Sequence, residues 1–259
     1  MRDQFVADVG DFGKYGLLRR LCGITDPETL EADLRLGVVW YMTPDDPDDT
    51  AGRFTGYLAH TKQKHLEYHD CDPGLWHDLQ TLVPHRRCVG CVEKSAILPA
   101  DTVYFGLSLH NAGWNNDAVD NQEVRARWWR NALDGMADAD VVFLDPDNSI
   151  RPDDTRKYHP DGPKYAYMDD LKAVWDAKKS LVVYHQLNRG GTHKQQIKDI
   201  CADIHKALGT EPIPMWFHRG TSRVFLVIPQ KCHRERITAR LCRMLASPWG
   251  ERGHFTEPQ

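Results

Sequence analysis

The sequence lacks any long apolar run and any secretory leader pattern. No stretch approaches the roughly 18 to 20 consecutive apolar residues that a membrane-spanning helix requires. The amino-terminal segment MRDQFVADVGDFG carries acidic residues where a signal peptide has a basic start followed by an apolar stretch. We therefore expect a cytoplasmic protein with no membrane partner.

The glycine signatures of the common nucleotide-binding folds are also missing. Neither G-x-G-x-x-G nor a P-loop occurs in the chain. The first predicted strand ends instead in an acidic loop, Asp45 to Asp49. Its oxygens could bind Mg²⁺ or Ca²⁺, although a solvated acidic loop is the simpler interpretation. The sequence disfavours a dinucleotide or ATP site, and we predict no cofactor.

Cysteine is present in an odd number, seven, spread over a chain of 259 residues. This pattern suits free thiols better than a framework of disulfides. Cys88 and Cys91, with Cys71 and His85 nearby, could form a zinc site. A structural zinc site normally shows two ligand pairs, however, and only one pair is evident. We predict no metal and leave this cluster open.

The overall composition, 41% hydrophobic and 27% charged, is typical of a globular chain, and we predict one α/β domain over residues 1–259. The net charge of −4 hides an asymmetry. Residues 181–259 hold 12 basic and 6 acidic side chains, against 21 and 31 in residues 1–180. A basic carboxyl-terminal third favours a polyanionic partner, although a solvated basic helix face fits equally well. The oligomeric state is not indicated.

Apolar runs and helical periodicities alternate along the chain. Near-continuous apolar runs, which indicate strands buried on both faces, lie at Leu36–Met42, Thr102–Leu107, Val141–Leu144, Leu181–Tyr184 and Val224–Ile228. Helical patterns lie at Asn121–Leu133, Asp169–Ala177, Thr192–Leu208 and Arg234–Leu245. The alternation predicts a doubly wound, mostly parallel α/β sheet with helices on both faces, of the Rossmann-like class.

Polar side chains follow two of the predicted strands directly. Asp145, Asp147 and Asn148 come after the third strand, and His185 comes after the fourth. Ligands of open parallel sheets bind at the carboxyl ends of the strands, where a carboxylate can position water or act as a general base. We predict that these four residues are catalytic, with Asp145, nearer the rigid strand, as the first choice. The alternative is a turn that caps the next element.

The segment after the fourth strand, Asn188 to Lys194, leads into the predicted helix at Thr192. Its two glycines expose backbone N–H groups, and Arg189 and Lys194 add positive charge. We predict that Arg189 and Lys194 contact substrate phosphates, together with Arg219 and Arg223 of the basic third, and that Asn188 also binds the substrate. The alternative is a helix capped by Thr192, in which the glycines serve only the turn.

Two further segments contain candidate substrate-binding residues. Glycines around Lys14 and Tyr15 allow close approach to a ligand, so we predict a substrate-facing arm that leads into a short helix, Leu17–Leu21; a plain helix lead-in is the alternative. His110, Asn111 and Trp114 follow the second strand and could stack on a base and read its edge. The alternative there is an ordinary loop with Trp114 in the core.

Taken in order, GDFGKYGLLRRL, LDPDN, YHQLNRGGTHKQQIKDI and VFLVIPQK resemble the rRNA adenine-N6 methyltransferases, which carry a GNxADVLKH-like arm, a DPPY motif and a late strand. The resemblance implies a shared scaffold. Two departures concern the methyl donor and the base: TPDDPDD replaces the S-adenosylmethionine loop, and Asn148 replaces the aromatic residue of DPPY. We therefore expect no binding of S-adenosylmethionine.

Asp145-Pro146 after one strand and His185 after a later one are similar to the water-activating motif and the histidine loop of uracil-DNA-glycosylase-type enzymes. In overall character the chain also resembles bacterial anti-phage DNA glycosylases that excise glucosylated hydroxymethylcytosine. These resemblances imply hydrolysis of an N-glycosidic bond. We predict a DNA glycosylase that leaves an abasic site, with DNA favoured over RNA. The alternatives are an adenine-N6-type methyltransferase and a catalytically inactive nucleic-acid-binding protein.

Overall fold

The computed structural model describes residues 1–24, 30–45, 48, 52–85, 87–95 and 97–258. Its strands are β1 (Leu36–Trp40), β2 (Val103–Phe105), β3 (Val141–Asp145), β4 (Ser149–Arg151), β5 (Tyr165–Tyr167), β6 (Ser180–Gln186), β7 (Ile213–Phe217), β8 (Arg223–Ile228) and β9 (Phe255–Thr256). Its helices are α1 (Val9–Cys22), α2 (Lys62–Glu67), α3 (Pro73–His85), α4 (Val89–Glu93), α5 (Ala118–Gly135), α6 (Met168–Asp176), α7 (His193–Leu208), α8 (Lys231–Leu245) and α9 (Pro248–Glu251).

Within the described residues, seven strands form one sheet in the order β2-β1-β3-β6-β8-β7-β9. The first four are parallel, whereas β8 lies antiparallel between β6 and β7, and β9 pairs antiparallel with β7. Strands β4 and β5 form a separate parallel pair that packs beside β6. The predicted α/β fold class, with a mostly parallel sheet, is confirmed.

Helices cover both faces of this sheet, which explains why its central strands are apolar at successive positions. Every residue of β1, β3 and β8 is buried. One core joins the sheet to α1, α3, α4 and α8 through side chains such as Phe12, Trp76 and Leu241. The other joins it to α5, α6 and α7 through side chains such as Trp128 and Ile200. Burial on both faces removes the alternation expected of a half-exposed strand.

The amino-terminal helix α1 is longer than the sequence suggests and contains its glycines. A Cβ atom at Gly13 would lie 2.5 Å from the Phe217 ring, and one at Gly16 would overlap the Trp249 indole. These glycines therefore let α1 pack closely on the sheet and on α9, and they do not open a path to a ligand. This close packing brings the first turn of α1 against the carboxyl end of β3.

Among the described residues, no helix combines the length and apolar character needed to cross a bilayer.

Candidate active site

A small cavity lies at the carboxyl end of β3. Ligands of open α/β sheets bind outside the carboxyl ends of the strands, and the lining here comes largely from α1, the ends of β3 and β6, and the start of β8. The cavity has a volume of about 120 Å³. Its lining includes four carboxylates (Asp8, Asp11, Asp145, Asp147), the cations Lys14 and Arg223, and Phe5, Phe54, Tyr184, Gln186 and Thr221. We call it the carboxylate cavity.

A buried ion-pair chain fixes one wall of the carboxylate cavity. Lys14 Nζ lies 2.8 Å from Asp11 Oδ1 and 2.9 Å from Asp145 Oδ2. Burial alone would lower the pKa of Lys14, but the two carboxylates outweigh it and raise the pKa above its ordinary value. Lys14 therefore stays charged. Burial also raises the pKa of Asp145, and the attraction of Lys14 opposes this shift.

Asp11 is further held by two donors to its other oxygen. The Ala7 N–H and the Tyr15 hydroxyl each donate to Asp11 Oδ2 at 3.0 Å. Tyr15 is fully buried. It therefore supports the wall of the cavity from behind, and of the two predicted arm residues only Lys14 lines the cavity.

Asp8 caps the amino-terminal end of α1, next to the carboxylate cavity. Its Oδ1 accepts hydrogen bonds from the backbone N–H groups of Gly10 at 2.7 Å and Asp11 at 3.0 Å. Such a capping residue follows from the sequence pattern that starts helices. Burial raises the pKa of Asp8, while nearby Arg223 opposes the shift. Asp8 is thus a carboxyl group whose protonated form is favoured by its surroundings.

Asp147 lies on the opposite side of the cavity and keeps one oxygen without a hydrogen bond. Arg2 Nε and Nη2 both lie 3.2 Å from Asp147 Oδ2. The amino-terminal ammonium group of Met1 forms an ion pair with Oδ1 at 3.6 Å, which is longer than a hydrogen bond. Oδ1 is buried and has no hydrogen-bond partner among the described residues. An acceptor that is held by ion pairs but accepts no hydrogen bond can hold a water molecule.

Arg223 supplies positive charge without a closely paired acid. Its side chain is 6% exposed and donates to Thr221 O at 3.1 Å and Thr221 Oγ1 at 2.7 Å. Among the described residues no carboxylate lies within 4.0 Å of its guanidinium group. The guanidinium lies 5.8 Å from the centre of the Tyr184 ring. Of the arginines that the sequence predicts as substrate contacts, Arg223 is the one that lines the carboxylate cavity.

Asn148 and His185 line a different space, which we call the second cavity. It has a volume of about 440 Å³ and is lined by residues that include Asn148, Arg151, Tyr165, His185 and Gln186. The ring nitrogen Nδ1 of His185 accepts from the Ile150 N–H at 3.3 Å. Burial lowers the pKa of His185 to about 4. The four residues predicted as catalytic are therefore divided between two cavities, and Gln186 lines both.

The remaining predicted substrate residues do not line the carboxylate cavity. His110 and Asn111 are exposed after the edge strand β2, and Trp114 is 8% exposed within the core, as in the alternative interpretation of that loop. Arg219 donates to the carbonyl groups of Gly253 at 3.2 Å and Arg252 at 2.7 Å.

In the segment before α7, the hydrogen bonds to the backbone agree with the alternative in which Thr192 caps the helix. Thr192 Oγ1 accepts from Gln195 N at 3.3 Å, and Asn188 Oδ1 accepts from Gly190 N at 2.7 Å. Asn188 also borders the second cavity, whereas Arg189 and Lys194 are exposed. These two cations can still meet a large anionic partner, but they are not part of either cavity.

The possible metal sites have few described ligands. Cys88 and Cys91 form a disulfide, and Cys71 Sγ donates to Glu67 O at 3.4 Å. The side chain of His85 and most of the acidic loop, residues 46–47 and 49, lie outside the described residues. Within the described part of the chain, no group of three or more His, Cys, Asp or Glu side chains is arranged to hold a metal ion.

Several lining residues were missed by the sequence argument. Asp8 and Asp11 stand beside Lys14 in the sequence, and the capping pattern could have indicated Asp8. Gln186 follows His185 at a strand end, so its position in the sequence could have indicated it as a lining residue. Arg2, which holds Asp147, carries no local pattern, because its role depends on contact across 145 positions.

A scan against protein-family models finds no match, and a search of curated proteins finds no similar sequence.

Proposed function

We propose that the chain is a nucleic-acid base-excising hydrolase of the cytoplasm, a DNA N-glycosylase that leaves an abasic site. The observation that carries the proposal is the set of four carboxylates around one small cavity at the carboxyl end of β3. Breaking an N-glycosidic bond develops positive charge on the sugar, and fixed carboxylates stabilise such charge. Lys14 lies between Asp11 and Asp145, Arg2 pairs with Asp147, and Arg223 is near Asp8.

In this mechanism Asp147 positions the water. Asp145 was the first choice from the sequence, but its Oδ2 is engaged by Lys14, whereas Asp147 Oδ1 is free of hydrogen bonds among the described residues. The bond between the sugar C1′ and the base nitrogen breaks, and its electron pair leaves with the base. Water bonds to C1′ and gives its proton to Asp147. Asp145 contributes negative charge next to the developing cation.

Asp8 is suited to protonate the departing base. Its Oδ1 is occupied by two backbone N–H groups, which leaves Oδ2 to carry a proton. Burial raises its pKa, the condition that a general acid of this type requires. Gln186 offers an amide at the same cavity that can hydrogen-bond to the edge of the base.

The size of the carboxylate cavity supports a water-dependent reaction over methyl transfer. Sites for drug-sized ligands typically have about 300 to 1,000 Å³, and the carboxylate cavity has about 120 Å³. Taken without the neighbouring second cavity, a cavity of this size suits a base and a water better than a base together with S-adenosylmethionine. The segment TPDDPDD, which stands in place of the loop that would have to hold the methyl donor, also lacks glycines.

The test incubates the protein with unmodified and hypermodified DNA, each with and without S-adenosylmethionine. Released bases and methylated nucleosides are then measured by mass spectrometry. We expect a free base in the absence of S-adenosylmethionine and no methylated nucleoside in its presence. Methylated adenine would instead establish the methyltransferase alternative, and tight DNA binding without either product would establish an inactive binding protein.

A further inference from the structure

The second cavity lies next to the carboxylate cavity and has more than three times its volume, about 440 Å³ against about 120 Å³. Gln186, at the end of β6, lines both. The pair β4 and β5 forms its other wall, directly after Asp147 in the chain. A substrate held in the carboxylate cavity therefore has a neighbouring space large enough for another group of the same molecule.

The side chains of the second cavity have unused hydrogen-bonding capacity. Among the described residues, the amide groups of Asn148 and Gln186 make no hydrogen bond, although the backbone N–H of Asn148 donates to Lys164 O at 3.0 Å. Arg151 has no carboxylate within 4.0 Å in the same part of the chain, and its Nη1 is buried without a partner. Its guanidinium lies 4.3 Å from the centre of the Tyr165 ring. Buried donors without partners are costly unless a ligand or water satisfies them.

His185 adds a neutral donor to this set. Because Nδ1 accepts from the Ile150 N–H, the ring proton lies on Nε2. Burial holds the pKa of His185 at about 4, so the ring is neutral near pH 7. A neutral imidazole with a fixed tautomer is suited to recognition rather than to proton transfer at that pH.

We propose that the second cavity binds the nucleotide adjacent to the target base on the same strand, with its phosphate at Arg151 and its base at Asn148 and His185. A guanidinium group stacked on a ring binds phosphate through paired N–H groups. Amides and imidazole match the mixed donors and acceptors of a base edge. Asn148 and His185 then select the substrate and take no part in breaking the bond. This inference rests on the proposed function.

The experiment measures binding of short, fluorescein-labelled single-stranded DNA by fluorescence anisotropy, so that no turnover is needed. The variants are Arg151→Met and Asn148→Ala, with Arg151→Lys as a second variant that keeps the charge but loses the paired geometry. Arg156→Met is the matched control, since Arg156 is exposed on the following loop and pairs with Asp161. Circular dichroism establishes that each variant is folded.

We expect Arg151→Met and Asn148→Ala each to weaken binding about five-fold or more, which is the size of one good polar contact to a base or phosphate. Arg151→Lys should fall between wild type and Arg151→Met, and Arg156→Met should bind like wild type. A second set of binding measurements replaces each nucleotide beside the centre of the oligonucleotide, in turn, by a spacer that has neither base nor sugar. One spacer should weaken wild-type binding by a similar factor or more and have a smaller effect on Asn148→Ala than on wild type, because both changes remove the Asn148 contact.

The two possible failures are distinguishable. If wild type binds the oligonucleotide but neither Arg151→Met nor Asn148→Ala changes the affinity, or if the spacer and Asn148→Ala effects multiply, the nucleotide site is wrong and base excision still stands. If wild type neither binds nucleic acid nor releases a base, the proposed function fails and the inference fails with it.

Discussion

Replacing Lys14 by methionine removes the ammonium group that lies between two buried carboxylates while preserving most of the side-chain volume. In the structure, Lys14 Nζ is 2.8 Å from Asp11 Oδ1 and 2.9 Å from Asp145 Oδ2, and all three residues are 4% exposed or less. The variant leaves both carboxylates buried without their shared partner. Removing one partner of a buried ion pair costs about 3 to 5 kcal/mol of stability. We therefore expect the free energy of unfolding to fall by that amount at neutral pH.

The loss of stability in Lys14→Met is expected to depend on pH. Burial already raises the pKa of Asp145 from its ordinary value of 3.8, and the loss of Lys14 raises it further. A carboxyl group whose pKa is higher in the folded than in the unfolded state stabilises the fold below the unfolded pKa, and this contribution is lost as pH rises through the folded pKa. The variant should therefore be most destabilised near pH 7 and should recover toward pH 4. Lys14 itself stays charged over this range because its pKa is raised above 10.5.

Thermal unfolding followed by circular dichroism between about pH 4 and 8 measures both effects. For a domain of this size, about 2 to 4 °C of midpoint change corresponds to 1 kcal/mol, so we expect a fall of roughly 6 to 20 °C near pH 7. Lys172→Met is the matched control, because Lys172 and its partner Asp176 are each 58% exposed. The control should lose no more than about 0.5 kcal/mol. A loss for Lys14→Met that equals the control, or that does not vary with pH, would refute the buried ion-pair chain.

Three further predictions follow from other parts of the fold. Gly13→Ala places a methyl group against Phe217, so we expect a loss of about 1 to 3 kcal/mol in a denaturant titration. His185→Gln should leave the shape of the pH profile of base release unchanged between about pH 6 and 8, the range in which an ordinary histidine titrates, because the pKa of His185 is about 4. Arg223→Gln should weaken nucleic-acid binding and reduce the slope of log affinity against log salt by about one unit. Arg219→Gln should change neither quantity, since Arg219 bonds to backbone carbonyl groups.

Most of the sheet and its large helices could be predicted because their signal is local. Strands β1, β3 and β8 are buried on both faces and therefore read as apolar runs, and α7 shows its buried stripe at helical spacing. Strand β7 was missed because Ile213–Phe217 contains a proline and only two of its five residues are buried. Helix α1 was predicted too short, because its glycines disfavour a helix locally and are explained only by contact with Phe217 and Trp249.

The site was only partly predictable, because some of its residues are positioned by contacts between distant parts of the chain. Asp145 and Asp147 follow a buried strand, so the rule that ligands bind at strand ends was enough to find them. The position of Asp11 depends on the packing of α1 against β3, and the role of Arg2 depends on a contact far away in sequence. Trp114 illustrates the opposite error, because an aromatic residue in a polar loop was assigned to the substrate and packs in the core.

The central claim is tested most directly by the release of free base from hypermodified DNA by wild type and by the variants Asp145→Asn, Asp147→Asn and Asp138→Asn. The amide keeps the size of each side chain and removes its charge, and Asp138 is an exposed control before β3 that lines neither cavity. We expect Asp147→Asn to lower the rate by about 10² to 10⁴, the usual worth of a positioned general base, with DNA binding and circular dichroism unchanged. Asp145→Asn should lower it less and Asp138→Asn not at all. Near-wild-type release by Asp147→Asn and Asp145→Asn together, on a verified substrate, would contradict the account.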